Sequence, residues 1–297
     1  MSAENTGKRN HTITLPGCGW VCYNRKEHII RKEECNMKKL GFIGMGNMGQ
    51  AIAAGMLRSG LIGANQIYAY APHQDKLRKN AREIGFVPCT SLKELVNSVD
   101  TVLLACKPYQ IDDVLGEVRD DLAGKALLSV AAGWPYEKFR EKTDSSTRIQ
   151  YIGTNTPSMV GEGVLIFQEE NSLEEEERKF IFEVFEAMGT VLELPGRLMD
   201  IGAALTGCAP AFMAMVMEAM GDAGVKYGVP RAQAYTLVAQ MMLGSAKLQL
   251  ETGSHPGILK DQVCSPAGTT IRGVDALEHA GMRAAFMDAV DAVMNKK

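Results

Sequence analysis

The sequence predicts an α/β protein: an N-terminal Rossmann-type doubly wound sheet, followed by an all-helical domain that dimerises. Three observations predict it. Met37 to Gln50 read as strand, glycine turn and helix. Short apolar strands then alternate with helical stretches as far as Leu194, the order that builds a parallel sheet. From Met199 onward only helix-period patterns remain.

Leu40 to Ile43 form the first predicted strand, and the glycines follow as Gly44-x-Gly46-x-x-Gly49. Met48, Ile52, Met56, Ala53 and Leu57 then recur at helical spacing. In such a turn Gly44 permits the tight bend, Gly46 lets a pyrophosphate approach the backbone, and Gly49 lets the helix pack on the strand. The phosphates would lie at the helix N-terminus, where free N–H groups point outward. Glycines at this spacing also occur in plain tight turns; the flanking strand and helix favour a dinucleotide.

The chain has 297 residues, of which 46% are hydrophobic and 23% charged, the composition of a soluble protein of about two domains. A net charge of −3 gives no reason to expect nucleic acid or a membrane surface as partner. Seven cysteines without regular spacing suit a reducing, cytoplasmic compartment. Ile201 to Met217 carries no charge, but it is short for a membrane span and is interrupted by Gly202, Gly207 and Pro210. It reads as a helix buried on most sides, within one chain or in a subunit interface.

Residues 1–36 are a polar extension, expected to be disordered or to precede a working start at Met37. Cys18, Cys22, His28 and Cys35 match no common zinc-finger spacing, and no metal site is predicted. Residues 37–197 form the predicted dinucleotide-binding domain. Its second strand, Gln66 to Ala71, is followed by Pro72, His73 and Gln74, then Lys76 and Arg78. A carboxylate at this place would bind the ribose 2′-hydroxyl of NAD. Its absence, with cations near, favours NADPH, leaving NADH as a second donor. Either cation could instead be a solvated helix charge. Asp100 to Cys106 reads as a central strand with Lys107 and Pro108 at its carboxyl end, where ligands bind in such sheets. Ala126 to Ala132 is another strand, and Ala131 and Ala132 leave room for a flat ring or serve packing. Arg148 to Ile152, Val164 to Gln168 and Thr190 to Leu194 complete the set. The acidic run Glu169 to Glu177 reads as a solvated helix start.

Residues 198–297 form the predicted helical dimerisation and substrate domain. One helix runs from about Met199 to Tyr227, interrupted near Gly207 to Pro210. A second carries Ala234, Leu237, Val238, Met241, Met242 and Leu248, and a third Met282, Ala285, Phe286, Ala289, Val290 and Val293. These faces hold more apolar surface than a unit of this size can bury alone, so a homodimer at least is expected. Between the last two helices, a turn at Pro266 to Gly268 enters a helix at Thr269. Grouped N–H groups there would suit a small carboxylate. Equally, Thr269 or Thr270 could be an ordinary N-cap.

The chain resembles the pyrroline-5-carboxylate reductase family. The resemblance rests on Gly-Phe-Ile-Gly-Met-Gly-Asn-Met, Cys-Lys-Pro, Ala-Ala-Gly, Thr-Asn-Thr-Pro and Leu-Thr-Gly-Cys-Ala-Pro-Ala-Phe. Most specific is His-Pro-Gly-Ile-Leu-Lys-Asp-Gln-Val-Cys-Ser-Pro-Ala-Gly-Thr-Thr-Ile-Arg-Gly. It covers residues 37–297. The resemblance implies NAD(P)H-dependent reduction of the cyclic imine 1-pyrroline-5-carboxylate to L-proline, by dimers or larger assemblies. It implies that Ser265 and the backbone at Gly268, Thr269 and Thr270 hold the substrate carboxylate, and that the Thr270 hydroxyl meets the ring nitrogen. It places the cofactor on Gly44, Met45, Gly46, Asn47, Met48, Pro72, His73, Cys106, Lys107, Pro108, Ala131 and Ala132.

This chain departs from the family pattern twice. Cys208, Ala209 and Phe212 stand where Ser, Gly and Tyr are common, and Ala267 where Gly is common. Alanine at a position needing positive φ would be strained by about 1 kcal/mol or more. Two rival readings remain: a related imine or β-hydroxyacid-type dehydrogenase, with Lys226 or Lys247 as base, and an NADPH-binding protein without turnover. Neither lysine lies in a Gly-x-x-x-Lys-x-x-x-Asn setting.

Overall fold

The computed structural model describes residues 39–295. The extension with Cys18, Cys22, His28 and Cys35 lies outside the described residues. The chain divides into two compact units between Gly207 and Cys208.

The first unit is an eight-stranded sheet in the order β3-β2-β1-β4-β5-β6-β7-β8. Its strands are β1 (Leu40–Ile43), β2 (Ile67–Tyr70), β3 (Val87–Pro88), β4 (Thr101–Leu104), β5 (Ala126–Ser129), β6 (Arg148–Gly153), β7 (Gly163–Gln168) and β8 (Gly189–Leu194). Strands β1 to β6 are parallel. β7 then runs antiparallel to β6, with Ile152 opposite Phe167, and β8 lies parallel to β7. Helices α1 (Asn47–Ser59), α2 (Gln74–Asn80), α3 (Leu92–Asn97), α4 (Ile111–Val118), α5 (Tyr136–Lys142) and α6 (Glu175–Glu186) connect the strands.

The period of two along each strand sends alternate side chains to opposite faces. Phe42, Leu103 and Leu128 join Ile52 and Met56 of α1 and Phe185 of α6 in one core. Ile43, Val102, Leu104 and Leu127 join Leu95, Leu115 and Phe139 of α3, α4 and α5 in another. All four residues of β4 are buried, as a central parallel strand requires. The acidic run departs from the solvated reading at one position. Glu177 of α6 is 4% exposed and accepts from Arg148 Nε at 2.6 Å and Nη2 at 2.8 Å. A buried carboxylate survives because this two-pronged pair replaces its water.

The second unit is helical: α8 (Ala209–Lys226), α9 (Arg231–Thr252), α10 (Pro256–Gln262), α11 (Thr269–His279) and α12 (Met282–Met294). Ahead of it, α7 (Met199–Ala203) passes into a π turn at Ala204–Cys208 that leads directly into α8. The expected interruption near Pro210 is therefore a local change of winding rather than a break. Pro210 sits in the first turn of α8, where a missing N–H is tolerated. Gly196–Lys226 is thus helical throughout, and by length and composition it is long and apolar enough to cross a membrane; the expected burial on most sides is not met within one chain, where 17% of its most apolar stretch is buried. α8 packs against α9, where a Cβ at Gly221 would come within 2.5 Å of the Tyr235 ring. Arg231 pairs with Asp222 across the same corner. Helix α10 was not expected. Its seven residues begin Pro256-Gly257 and give little periodicity. His255 caps it, its Nδ1 accepting from Gly257 N at 3.0 Å, a structural role.

Candidate active site

The strand order reverses at β1, whose neighbours are β2 and β4. At such a point the connections leave in opposite directions and open a crevice beyond the carboxyl ends of the strands. A cleft of 400 Å³ lies there, formed by the turns after Ile43, Tyr70 and Ala105.

The glycines shape its floor. Gly44 has φ 99°, and a Cβ on it would lie 2.6 Å from Cys106 N. A Cβ on Gly49 would lie 2.5 Å from Gly44 O, whereas one on Gly46 would meet nothing within 4 Å. Gly44 and Gly49 thus bring strand, turn and helix together, and Gly46 leaves open space in front of the α1 N-terminus. That end has no side-chain cap and no acid in its first turn. Its outward N–H groups and partial positive charge suit a diphosphate.

Seven of the expected cofactor residues line the cleft: Gly44, Met45, Gly46, Pro72, His73, Cys106 and Lys107. Asn47 and Met48 open α1 just behind it. Pro108 starts the next turn, where its carbonyl accepts from Trp134 Nε1 at 3.1 Å. Ala131 is buried and Ala132 exposed beyond β5; neither lines the cleft. Of the two cations after β2, Lys76 lines the cleft, while Arg78 pairs with Asp75 at 3.5 Å. Asp75, the first acid after β2, is thereby matched by a cation. The Cys106 thiol is pushed up to about 11 by burial, so it is neutral and no nucleophile at ordinary pH.

Several wall residues were not anticipated: Leu77 and Asn80 of α2, Leu92 of α3, and Asp113, Val114 and Glu117 of α4. The last three share one face of α4, with Gln110 just before it. A spacing of three and four was visible in the sequence, but nothing local shows that this face looks onto a cleft.

In the helical unit, Ser265 to Gly268 make a turn closed by Gly268 N donating to Ser265 O at 3.0 Å. Pro266 takes its second position and Ala267 its third, with φ 57°. This is the pattern of a type II turn, which calls for Gly at the third position. Ala267 is the sole non-glycine residue with positive φ among the described residues, so the strain anticipated from the sequence is present. Gly268 is the N-cap of α11 with φ −69° and ψ 174°, and no side chain caps the helix. Thr269 and Thr270 are therefore the first two helical residues rather than caps. Their N–H groups are left without intrahelical partners, whereas that of Gly268 is committed to the turn. Gly268 contributes space instead, because a Cβ there would collide with Ser265 Oγ. Ser265, Thr269 and Thr270 are exposed.

Residues 196–297 match the family model for pyrroline-5-carboxylate reductase dimerisation. Residues 39–133 match that for NADP oxidoreductase, coenzyme F420-dependent. The pyrroline-5-carboxylate reductase of Treponema pallidum is 40% identical over 260 residues, covering 86% of this chain and 98% of its own. That of Methanosarcina acetivorans is 39% identical over 254 residues, covering 85% and 94%. This chain belongs to the pyrroline-5-carboxylate reductase family. Among solved members of the family, the Plasmodium falciparum pyrroline carboxylate reductase with NADP bound gives a TM-score of 0.79 at 31% identity. The match covers 86% of this chain and 95% of that one. The reductase fold expected from the sequence, a Rossmann-type sheet followed by a helical domain, is the fold observed.

Proposed function

We propose that this chain is a homodimeric, NADPH-dependent pyrroline-5-carboxylate reductase that makes L-proline from 1-pyrroline-5-carboxylate. The observation that carries the reading is 40% identity to a reductase of that name over 98% of its length. The uncapped α1 terminus, open Gly46, the cleft cations Lys76 and Lys107 beside His73, and the lack of a free acid after β2 support NADPH as donor. NADH would bind the same cleft without the contribution of a 2′-phosphate.

The bound cofactor supplies a hydride from its nicotinamide ring to the imine carbon. The residues of this chain orient and exclude. The Ser265 hydroxyl and the N–H groups of Thr269 and Thr270 grip the substrate carboxylate at the start of α11. The Thr270 hydroxyl holds the ring nitrogen as its charge changes. A cyclic imine is basic enough to be partly protonated near neutral pH, so no strong general acid is required. The exposed apolar side chains of α8, α9 and α12, in a region matching a dimerisation model, support a homodimer. Among the described residues the thiols Cys89, Cys106, Cys208 and Cys264 are unpaired, which suits the cytoplasm.

Following NADPH absorbance with pyrroline-5-carboxylate tests the reading. Turnover by wild type is expected, with Thr270→Ala about ten- to a hundredfold slower and cofactor affinity unchanged. Equal turnover by the variant would remove Thr270 from the mechanism. No turnover by wild type that still binds NADPH would favour a binding protein without catalysis, the reading that strained Ala267 motivates.

A further inference from the structure

The cleft contains a polar group that the fold itself leaves unused. Asn80, the last residue of α2, is 6% exposed and lines the cleft. Its Nδ2 is buried with no hydrogen-bond partner among the described residues. Leaving a buried donor unmatched is unfavourable, and native proteins seldom do so without a reason. The neighbours limit what could match it. Lys76 lies one helical turn earlier on the same face, nearer the end of β2. The cleft lining also holds the apolar Leu77, Leu92 and Val114, with the carboxylates Asp113 and Glu117 on the same face of α4 as Val114, so this wall would repel an anion. That is a slot for a flat heteroaromatic ring rather than for a phosphate.

We propose that Asn80 reads the adenine ring of the bound dinucleotide. Its Nδ2 donates to N7, and its Oδ1 accepts from the exocyclic amine, the two-point pairing by which asparagine distinguishes adenine from other bases. Lys76 and His73 are left for the 2′-phosphate. The assignment rests on the NADPH reading above and adds a determinant of base specificity to it.

The test is titration of the full-length protein, followed by quenching of its intrinsic fluorescence. The probes are NADPH, its hypoxanthine analogue, in which a carbonyl replaces the exocyclic amine, and reduced nicotinamide mononucleotide. Wild type is expected to prefer NADPH over the hypoxanthine analogue by about tenfold. Asn80→Leu, which keeps the volume and removes the amide, should bind NADPH about tenfold more weakly and lose that preference. Its affinity for the mononucleotide should not change. Because the unmatched donor is gone, the unliganded variant should also melt higher than wild type. An unchanged NADPH affinity in Asn80→Leu would overturn the assignment, as would a wild-type preference below twofold. A wild type that binds neither dinucleotide would remove the reductase reading itself, and this inference with it.

Discussion

The two units dispose of their apolar side chains in opposite ways. In the sheet unit, two continuous cores cover both faces, and residues such as Phe42, Ile52, Leu103 and Phe167 are fully buried. In the helical unit, Ala234 and Val238 are the buried apolar side chains, while Met215 is 68%, Leu237 64%, Leu250 69% and Met287 65% exposed. Removing each large side chain from water is worth about 1.5–3 kcal/mol. The sheet unit obtains that stabilisation within one chain. The helical unit has the same kind of residues and leaves them open, which is the condition of a surface awaiting a second copy. Folding and assembly are therefore carried by different regions.

Mutations can separate the two. The largest effect is expected from Phe167→Ala. This ring is fully buried and packs on Phe182 and Phe185 with centroids at 4.2 and 5.6 Å. Its loss should lower stability by about 4 kcal/mol in urea unfolding and leave the mass of the folded species unchanged. Dissociation of the assembly without any loss of stability would break the comparison. Next, Leu237→Asp places a charge on the open face of α9. It should weaken self-association about a hundredfold by sedimentation and barely alter the far-ultraviolet spectrum. A variant that still sediments as wild type would take Leu237 out of the interface. The smallest effect belongs to Ala267→Gly, which relieves the positive φ in the turn from Ser265 to Gly268. It should raise stability by about 0.5–1 kcal/mol in thermal melts; a lower melting temperature would mean that the turn does not need the left-handed conformation.

Legibility followed the range of the interactions. The strand, glycine turn and helix at the start were readable because each depends on neighbours a few residues apart. Ala267 was readable for the same reason, since a Pro-Ala-Gly turn sets its own φ. Thr269 and Thr270 were ambiguous between cap and first-turn residues. Only the conformation of Gly268 settles that they lie inside the helix. The π turn at Ala204–Cys208 was visible as a disturbance, but its form was not. Here Asn155 Nδ2 donates to Thr206 O at 3.1 Å across 51 residues of sequence.

The sequence by itself determined the order of the elements, the glycine turn with its helix terminus, the lack of an acid just after β2, and the apolar excess of the last hundred residues. These are matters of spacing and composition. The tertiary structure alone decided that β7 runs antiparallel, that Glu177 is buried against Arg148, and that Asn80, Leu92 and Val114 face one cleft. Each of these joins groups from separate crossover connections, and no local pattern reports which face of a helix will meet a distant strand.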